Sequence, residues 1–164
     1  MGKQIFNGRY TTENSEDLVV FIIGMRINKP FAFHKWLPVM NAMPGMIKEL
    51  YTNKEALGFL SMESYFGLRT TCMIQYWRSM EDLLAYAHNE RHLTAWKNFN
   101  RKIGNNGAVG IYHETYPINR GNYESIYGNM PRYGLGEALQ HIPISSGRNT
   151  ARERIDSHAN MKST

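Results

Sequence analysis

A strand that leads directly into a helix is the feature of this chain that most constrains its fold. The segment Thr70 to Trp77 is rich in β-branched and aromatic residues, which favours a strand. Ser79 follows as a good helix N-cap, and Glu81 and Asp82 then occupy the first turn, where the helix dipole favours acids. Aromatic side chains therefore lie where a sheet meets a helix, which is typical of an apolar small-ligand pocket.

The other apolar patterns complete an alternation of strands and helices. Pro44, beside Gly45, is expected to break the first helix into two pieces. The predicted elements are, in chain order, a strand Leu18–Ile27, a helix Phe33–Glu55, strands Phe59–Ser64 and Thr70–Arg78 joined by a turn at Gly67–Arg69, a helix from Ser79 to about Ile103, and a strand Ala108–Tyr116. This βαββαβ order predicts an α+β protein with a ferredoxin-like fold.

Helices would cover this predicted sheet on one face only. The run from Leu18 to Met25 is almost continuously apolar, so the first strand offers apolar groups to both faces. An uncovered apolar face predicts a second sheet packed against it, and we therefore expect a homodimer. The alternative is that the C-terminal part of the same chain covers the sheet.

Four segments are expected along the chain. Residues 1–17 are polar and form an N-terminal arm, and residues 18–118 form the ferredoxin-like domain. Residues 119–144 are an irregular extension rich in aromatic residues and glycine, which we expect to be a lid over the pocket or a dimer arm, with a purely structural wrap as the alternative. Residues 145–164 are polar and almost free of aliphatic residues, so they are expected to be a disordered tail.

Composition argues against several classes of partner. The chain carries a formal net charge of +5 without a dense basic run, so binding to nucleic acid is not expected. The longest apolar run is too short to span a bilayer, and the N-terminus lacks the apolar core of a signal peptide, so no membrane association is expected. The single cysteine, Cys72, excludes an intrachain disulfide and fits a cytoplasmic location.

Two histidines are the first candidates for chemistry. His88 and His92 are four residues apart on the predicted helix and so share one face. The spacing suits a metal site, but no third ligand accompanies the pair, so no metal is expected and a pocket-lining or hydrogen-bonded pair is the preferred interpretation. The sequence also lacks a Gly-rich phosphate loop, a dinucleotide fingerprint and a serine-nucleophile elbow.

The strands supply further candidates. His113 and Glu114 alternate on the last strand and so point to opposite faces. A buried Glu114 would need a partner, and Arg26 is the expected one; otherwise both lie at strand ends in water. Trp77 fits core packing and ligand stacking equally well. The candidate substrate-contacting residues are Trp77, Trp96, His113, Tyr127, Met130, Tyr133 and Arg26.

The chain resembles the dimeric α/β-barrel superfamily in the strand that ends in Tyr76-Trp77, the helix start SMEDL and the helix AHNERHLTAW. More narrowly, it is similar to antibiotic-biosynthesis-monooxygenase-like proteins, and its segment ESIYGNMPRYGLG resembles a signature of an uncharacterised monooxygenase-like branch. The resemblance covers about residues 16–142. It implies a homodimer with one pocket per subunit, between the sheet and the helices, that oxygenates a small, largely apolar or aromatic molecule in secondary metabolism.

The resemblance also implies a chemistry, because members of this type often oxygenate a deprotonated substrate without a metal or flavin. His88 or His92 would be the base. The candidate hydrogen-bond donors are Trp77, Tyr127 and Tyr133. No cofactor is expected, with haem as the alternative, although Trp96 stands where haem-degrading relatives carry their axial histidine. The alternative functions are a haem-dependent dehydratase or oxygenase and a non-catalytic binding module.

Overall fold

Two antiparallel sheets organise the fold in the computed structural model, which describes residues 2–13, 16–102 and 107–160. The strands are β1 (Phe6–Glu13), β2 (Leu18–Ile27), β3 (Phe59–Phe66), β4 (Thr70–Trp77), β5 (Val109–Ile118), β6 (Tyr127–Met130) and β7 (Gln140–Pro143). The helices are α1 (Phe33–Thr52), α2 (Lys54–Leu57), α3 (Met80–Ala87), α4 (Glu90–Lys102), α5 (Leu135–Ala138) and α6 (Ala151–Asn160). None of these described helices is long and apolar enough to cross a membrane.

The larger sheet has the strand order β3-β4-β2-β5, and all its neighbours are antiparallel. β2 pairs with β4 on one side and β5 on the other along nearly its whole length, as its apolar sequence leads one to expect. Together with the helices, this arrangement confirms the predicted α+β, ferredoxin-like fold. β5 continues past the predicted end at Tyr116, because Pro117 lies on an edge strand, where proline is tolerated.

The main hydrophobic core lies between the larger sheet and the helices. Trp77 is fully buried, and its ring centroid lies 5.5 Å from that of Phe59 and 5.4 Å from that of Tyr86. The helix start predicted after this strand is confirmed, because the Ser79 hydroxyl accepts a hydrogen bond from the Asp82 backbone N–H at 3.1 Å. Other buried members of this core are Val19, Leu50, Met62, Met73 and Leu83.

α1 is one continuous helix, so the predicted break at Pro44 is wrong. Pro38 and Pro44 both lie inside it. Pro44 has no N–H to donate to the carbonyl four residues earlier, but the turns that follow it pack against the core through Ile47 and the buried Leu50. Most helical stability in proteins comes from such packing, so one lost backbone hydrogen bond does not end the helix.

The second predicted helix consists of two helices, α3 and α4, which are separated at His88 and Asn89. The Asn89 Oδ1 accepts a hydrogen bond from the His92 backbone N–H at 2.8 Å, so Asn89 is the N-cap of α4. The predicted single helix is therefore wrong, and the Asn-Glu pair at its break is the sequence signal that marks the new start. The predicted end near residue 103 lies outside the described residues.

The two ends of the chain form a second unit, which we call the small-sheet module and which consists of β1, β6, β7, α5 and α6. β1, within the predicted arm, is its central strand.

The prediction of a disordered tail is wrong for the described residues 145–160, because α6 is anchored by Arg154. This guanidinium is buried, with a residue exposure of 4%, and its Nε lies 2.7 Å from the Glu124 carboxylate. The same guanidinium also donates to the Arg148 and Asn149 carbonyls, so these contacts tie α6 to the rest of the module. Residues 161–164 lie outside the described part.

The small-sheet module packs on the face of the larger sheet that points away from α1, α3 and α4. The Gly134 N–H donates to Glu63 Oε1 at 3.0 Å, and the Tyr133 hydroxyl donates to the Tyr65 hydroxyl at 2.6 Å. Residues 119–144 are therefore not a lid over the helix side of the sheet, which corrects that expectation. The module covers β3 and part of β4, while Tyr112 on β5 stays 46% exposed.

Candidate functional site

A cavity of about 680 Å³ lies between the larger sheet and helices α1, α3 and α4. Its volume falls in the range of small-molecule sites. Most of its wall is apolar, because the helices and strands turn their core-facing side chains towards it. The apolar lining includes Phe21, Ile23, Val39, Met43, Ile47, Leu83, Leu84, Phe99 and Ile111.

Six polar side chains interrupt this apolar wall: Gln75, His92, Thr94, Asn98, His113 and Thr115. No Asp, Glu, Lys or Arg is found among the described residues that line the cavity. Since an unpaired charge is costly in an apolar surrounding, the cavity favours an uncharged ligand with few polar atoms.

His92 is the lining group best suited to proton transfer. It lies on α4, half-buried, with its ring centroid 5.7 Å from that of Tyr86. Burial lowers the pKa of the imidazole below its ordinary value, and a hydrogen bond to the Ala87 carbonyl and the charge of Glu49 oppose this shift in part. This shift favours the neutral form of His92 at pH 7. A neutral imidazole keeps one ring nitrogen whose lone pair can accept a proton.

His88, the other predicted base, lies outside the cavity. It is the exposed C-cap residue of α3, and its Nδ1 lies 2.7 Å from the Leu84 carbonyl oxygen of the same helix. The two histidines were expected to share a helix face, but the break at Asn89 separates them. The structure therefore does not bring His88 and His92 together at one site, and the candidate base is reduced to His92.

The two predicted tryptophans have different positions. Trp77 lies in the packed core and is not among the residues that line the cavity, although it donates its indole N–H at 3.0 Å to Oε1 of the lining residue Gln75. Its full burial agrees with core packing, whereas the predicted ligand stacking has no support from the cavity lining. Trp96 does line the cavity, where it is 47% exposed and stacks on Phe99 at 5.5 Å between ring centroids. It is available to contact a ligand near the opening.

His113 and Glu114 point to opposite faces of β5, as predicted. His113 faces the cavity, with its ring centroid 5.7 Å from that of Phe21. Glu114 faces the other way and accepts a hydrogen bond from the Tyr116 hydroxyl at 2.6 Å. Glu114 does not pair with Arg26, which lies near the far end of β2 beside Gly110; both side chains are exposed, as the alternative expected. Arg26 does not line the cavity.

The three candidates from residues 119–144 belong to the small-sheet module. The Tyr127 hydroxyl accepts a hydrogen bond from the Gly136 N–H at 3.0 Å. Tyr133 bonds to Tyr65 on the far face of the larger sheet, and Met130 lies exposed at the end of β6. None of the three lines the cavity, so the structure gives no support to their predicted contact with a ligand there. The two tyrosine hydroxyls instead take part in hydrogen bonds within the module and to β3.

Sequence reasoning missed Gln75, which lines the cavity with only 6% of its surface exposed. An uncharged amide on the strand face that also carries Met73 and Trp77 was the available signal. A polar group among core residues is informative, because burial is unfavourable unless its hydrogen bonds are made.

For haem, the cofactor that the resemblance allows, the described residues offer an incomplete site. His92 supplies a ring nitrogen, but the described cavity wall holds no Lys or Arg that could pair with the haem carboxylates. Within the described residues there is also no group of three or more His, Cys, Asp or Glu that could hold a metal ion.

Comparison with known proteins gives one family and one fold. The family model described as monooxygenase af470-like matches residues 18–135. Monooxygenase af470 of Aspergillus fumigatus is 31% identical over 143 residues, which are 82% of this chain and 50% of that protein. This chain thus spans about half the length of the curated relative it matches. The match confirms the monooxygenase-like resemblance inferred from the sequence.

Two solved structures share the fold. A crystal structure of an aldoxime dehydratase in complex with butyraldoxime has a TM-score of 0.66 at 17% identity, covering 84% of this chain and 41% of that one. A second aldoxime dehydratase has a TM-score of 0.66 at 18% identity, covering 89% of this chain and 46% of that one. At such low identity the likeness concerns the fold alone.

Proposed function

Because the chain belongs to the monooxygenase af470-like family, we propose that it is an oxygenase that acts on a small, largely apolar or aromatic metabolite in the cavity between the sheet and the helices. One observation carries the proposal beyond the family: the apolar cavity has a neutral imidazole, His92, in its wall. A largely apolar wall favours an apolar substrate, and the imidazole supplies a base for it.

The proposed reaction begins with a proton transfer. His92 removes a proton from a carbon next to a carbonyl or from a phenol, and the resulting enolate or phenolate is electron-rich enough to reduce O2. For an activated CH2 group the overall change is CH2 + O2 → C=O + H2O, so one oxygen atom enters the product and the other leaves as water. The protonated His92 can return its proton to the departing water. Apolar walls exclude bulk water from the reactive intermediates.

We further propose that two copies of the chain pack through the part of the larger sheet that the small-sheet module leaves open. Tyr112 and Tyr116 on β5 are 46% and 48% exposed, and Ile22 of β2 lies on the same sheet face. Exposed aromatic and aliphatic surface of this kind, here with Glu114 between the two tyrosines, is typical of an interface. Sedimentation velocity should report a dimer, and Ile22→Arg should yield monomers. A monomeric wild-type protein would remove this part of the proposal.

Oxygen uptake tests the catalytic proposal. Purified protein is mixed with a panel of aromatic phenols and of ketones with acidic CH2 groups, and O2 consumption is followed with an electrode. The wild-type protein should consume O2 with at least one probe, and an absorption spectrum taken in parallel reports any haem through a Soret band. Probes that bind without O2 uptake would instead favour the non-catalytic binding module. A Soret band in the active protein would favour the haem alternative.

A further inference from the structure

Gln75 has a position that core packing alone does not explain. It lies on β4, in the interior of the larger sheet, and is more than nine-tenths buried. On the same strand face, Met73 and Trp77 are apolar core residues. A methionine or leucine would fill the same space without burying an amide, but it would leave the Trp77 indole N–H without its acceptor.

The orientation of the Gln75 amide is determined by Trp77. The Trp77 indole N–H, which lies fully buried, can only donate, and it lies 3.0 Å from Gln75 Oε1. The oxygen of the amide therefore faces Trp77. The Nε2 group then lies on the other side of the amide, towards Met62 on the neighbouring strand β3, and this amide cannot be flipped without leaving the indole N–H unpaired.

The Nε2 group lacks a strong acceptor among the described residues. Its one contact is with the Met62 Sδ at 3.9 Å, and a thioether is a weak acceptor. An amide nitrogen carries two hydrogens, so at least one remains for a molecule in the cavity. A donor that is buried, held in direction and poorly satisfied is suited to receive an oxygen of a ligand.

We propose that Gln75 Nε2 binds the carbonyl-type oxygen of an uncharged substrate, and that Trp77 acts as the positioning residue for this donor. The proposal deepens the proposed oxygenase function and rests on it for the chemical step. There, an oxygen bound at Gln75 gains negative charge when His92 removes a proton, so the Nε2 hydrogen bond becomes stronger as the enolate forms. Carboxylates and phosphates are rejected, because the described cavity wall offers no Lys or Arg to pair with them.

A series of three probes of similar size tests this selectivity: 2-acetylnaphthalene, 2-ethylnaphthalene and 2-naphthoate. Dissociation constants are measured by titration calorimetry at neutral pH. The wild-type protein should bind the ketone about 5- to 10-fold more tightly than the hydrocarbon, the effect of one net hydrogen bond, and should bind the carboxylate most weakly. Tightest binding of 2-naphthoate, or equal binding of the ketone and the hydrocarbon, would overturn the proposal.

Three variants test whether Gln75 causes the tighter binding of the ketone. Gln75→Met should bring the ketone-to-hydrocarbon ratio close to 1 while leaving hydrocarbon binding intact. Thr115→Val, another polar-to-apolar change in the cavity wall, should keep the ratio. If Gln75→Met does not fold, Trp77→Phe decides the matter: it leaves the amide free to rotate and should reduce the ratio several-fold. A ratio that persists without Gln75, persists in Trp77→Phe, or is lost equally in Thr115→Val contradicts the proposal.

The binding ratio and oxygen uptake can fail independently. If the ratio depends on Gln75 but no probe supports O2 uptake, the oxygenase function is wrong and Gln75 is the anchor of a binding site. If O2 uptake occurs and the ratio does not depend on Gln75, the oxygenase function stands and the Gln75 anchor is wrong.

Discussion

The two faces of the larger sheet use polar residues in opposite ways. On the face away from the helices, the polar side chains are paired: Tyr65 with Tyr133, Glu63 with the Gly134 N–H, and Tyr116 with Glu114. On the helix face, Gln75 and His92 are only partly satisfied by the protein and line a cavity. Paired polar groups hold the small-sheet module in place, whereas incompletely paired ones are free to engage a ligand.

The tyrosine pKa values reflect the same contrast. On the paired face, the hydrogen bond that Tyr65 shares with Tyr133 raises the pKa of Tyr65 to about 12, and burial raises the pKa of Tyr76 to about 12. These hydroxyls stay protonated at any physiological pH and serve as structural groups. On the cavity face, burial shifts the pKa of His92 downwards, which leaves a neutral base.

The largest expected effect on stability tests whether the core and the cavity wall are distinct. Trp77→Ala should lower the free energy of unfolding by about 3–5 kcal/mol, because it leaves a large hole in the packed core. Trp96→Ala removes a half-exposed ring at the cavity opening and should change the free energy of unfolding by less than about 1 kcal/mol. Urea denaturation compares the two variants. Similar losses would mean that Trp96 is as much a core residue as Trp77.

The next effect separates the two histidines. His92→Ala should reduce kcat/KM for O2 uptake by about 100-fold or more, the usual contribution of a positioned base. His88→Ala should leave kcat/KM unchanged, because this ring lies outside the cavity and bonds to its own helix. Steady-state oxygen electrode measurements on both variants decide the matter, with circular dichroism as the control for folding. Full activity without His92 would exclude it as the base.

A smaller effect concerns the paired face. Arg154→Ala should destabilise the small-sheet module by about 2 kcal/mol, because it removes a nearly buried charge that pairs with Glu124. Arg152→Ala breaks an exposed pair with Asp156 and should cost less than about 0.5 kcal/mol. Denaturant midpoints measure both. Ligand binding in the cavity should survive Arg154→Ala; its loss would show that the two faces are coupled.

The smallest effect is a pH dependence of stability. The pKa of folded His92 is lowered by burial, so between that value and the ordinary value of about 6.5 the unfolded chain binds more protons than the folded one. Stability should therefore be full above the ordinary value and fall as the pH drops through this range. His92→Gln should reduce the dependence of the unfolding free energy on pH. Part of the dependence that remains should come from His141, whose pKa is lowered by burial and by Arg132. An unchanged slope in urea midpoints between pH 7.5 and 5.5 would contradict the shift.

Much of the fold was predictable because its signals are local. The apolar run of β2, the turn at residues 67–69 and the Ser79 cap each depend on neighbours within a few positions. The break between α3 and α4 at Asn89 also has a local signal, but the apolar spacing of the helix continues across it and suggested one helix. The tolerance of Pro44 was not predictable, because it depends on how α1 packs against distant strands.

The site was less predictable than the fold. His92, His113 and Trp96 were identified from the sequence and line the cavity, whereas His88, Trp77 and Arg26 do not. Residue type alone cannot separate these groups, since a buried indole and a cavity-lining indole have the same local pattern. Gln75 was recognisable only once its partner Trp77 and the cavity beside it were known.

By itself, the sequence determined the order of strands and helices, the alternation of side chains on each strand and the supply of aromatic, histidine and amide groups. Periodicity and capping act over a few residues, so these properties need no knowledge of the rest of the chain. The tertiary structure decided which face of the larger sheet keeps a cavity and which is covered by the small-sheet module. That outcome depends on contacts between residues far apart in sequence, such as Glu63 with Gly134, which no local pattern records.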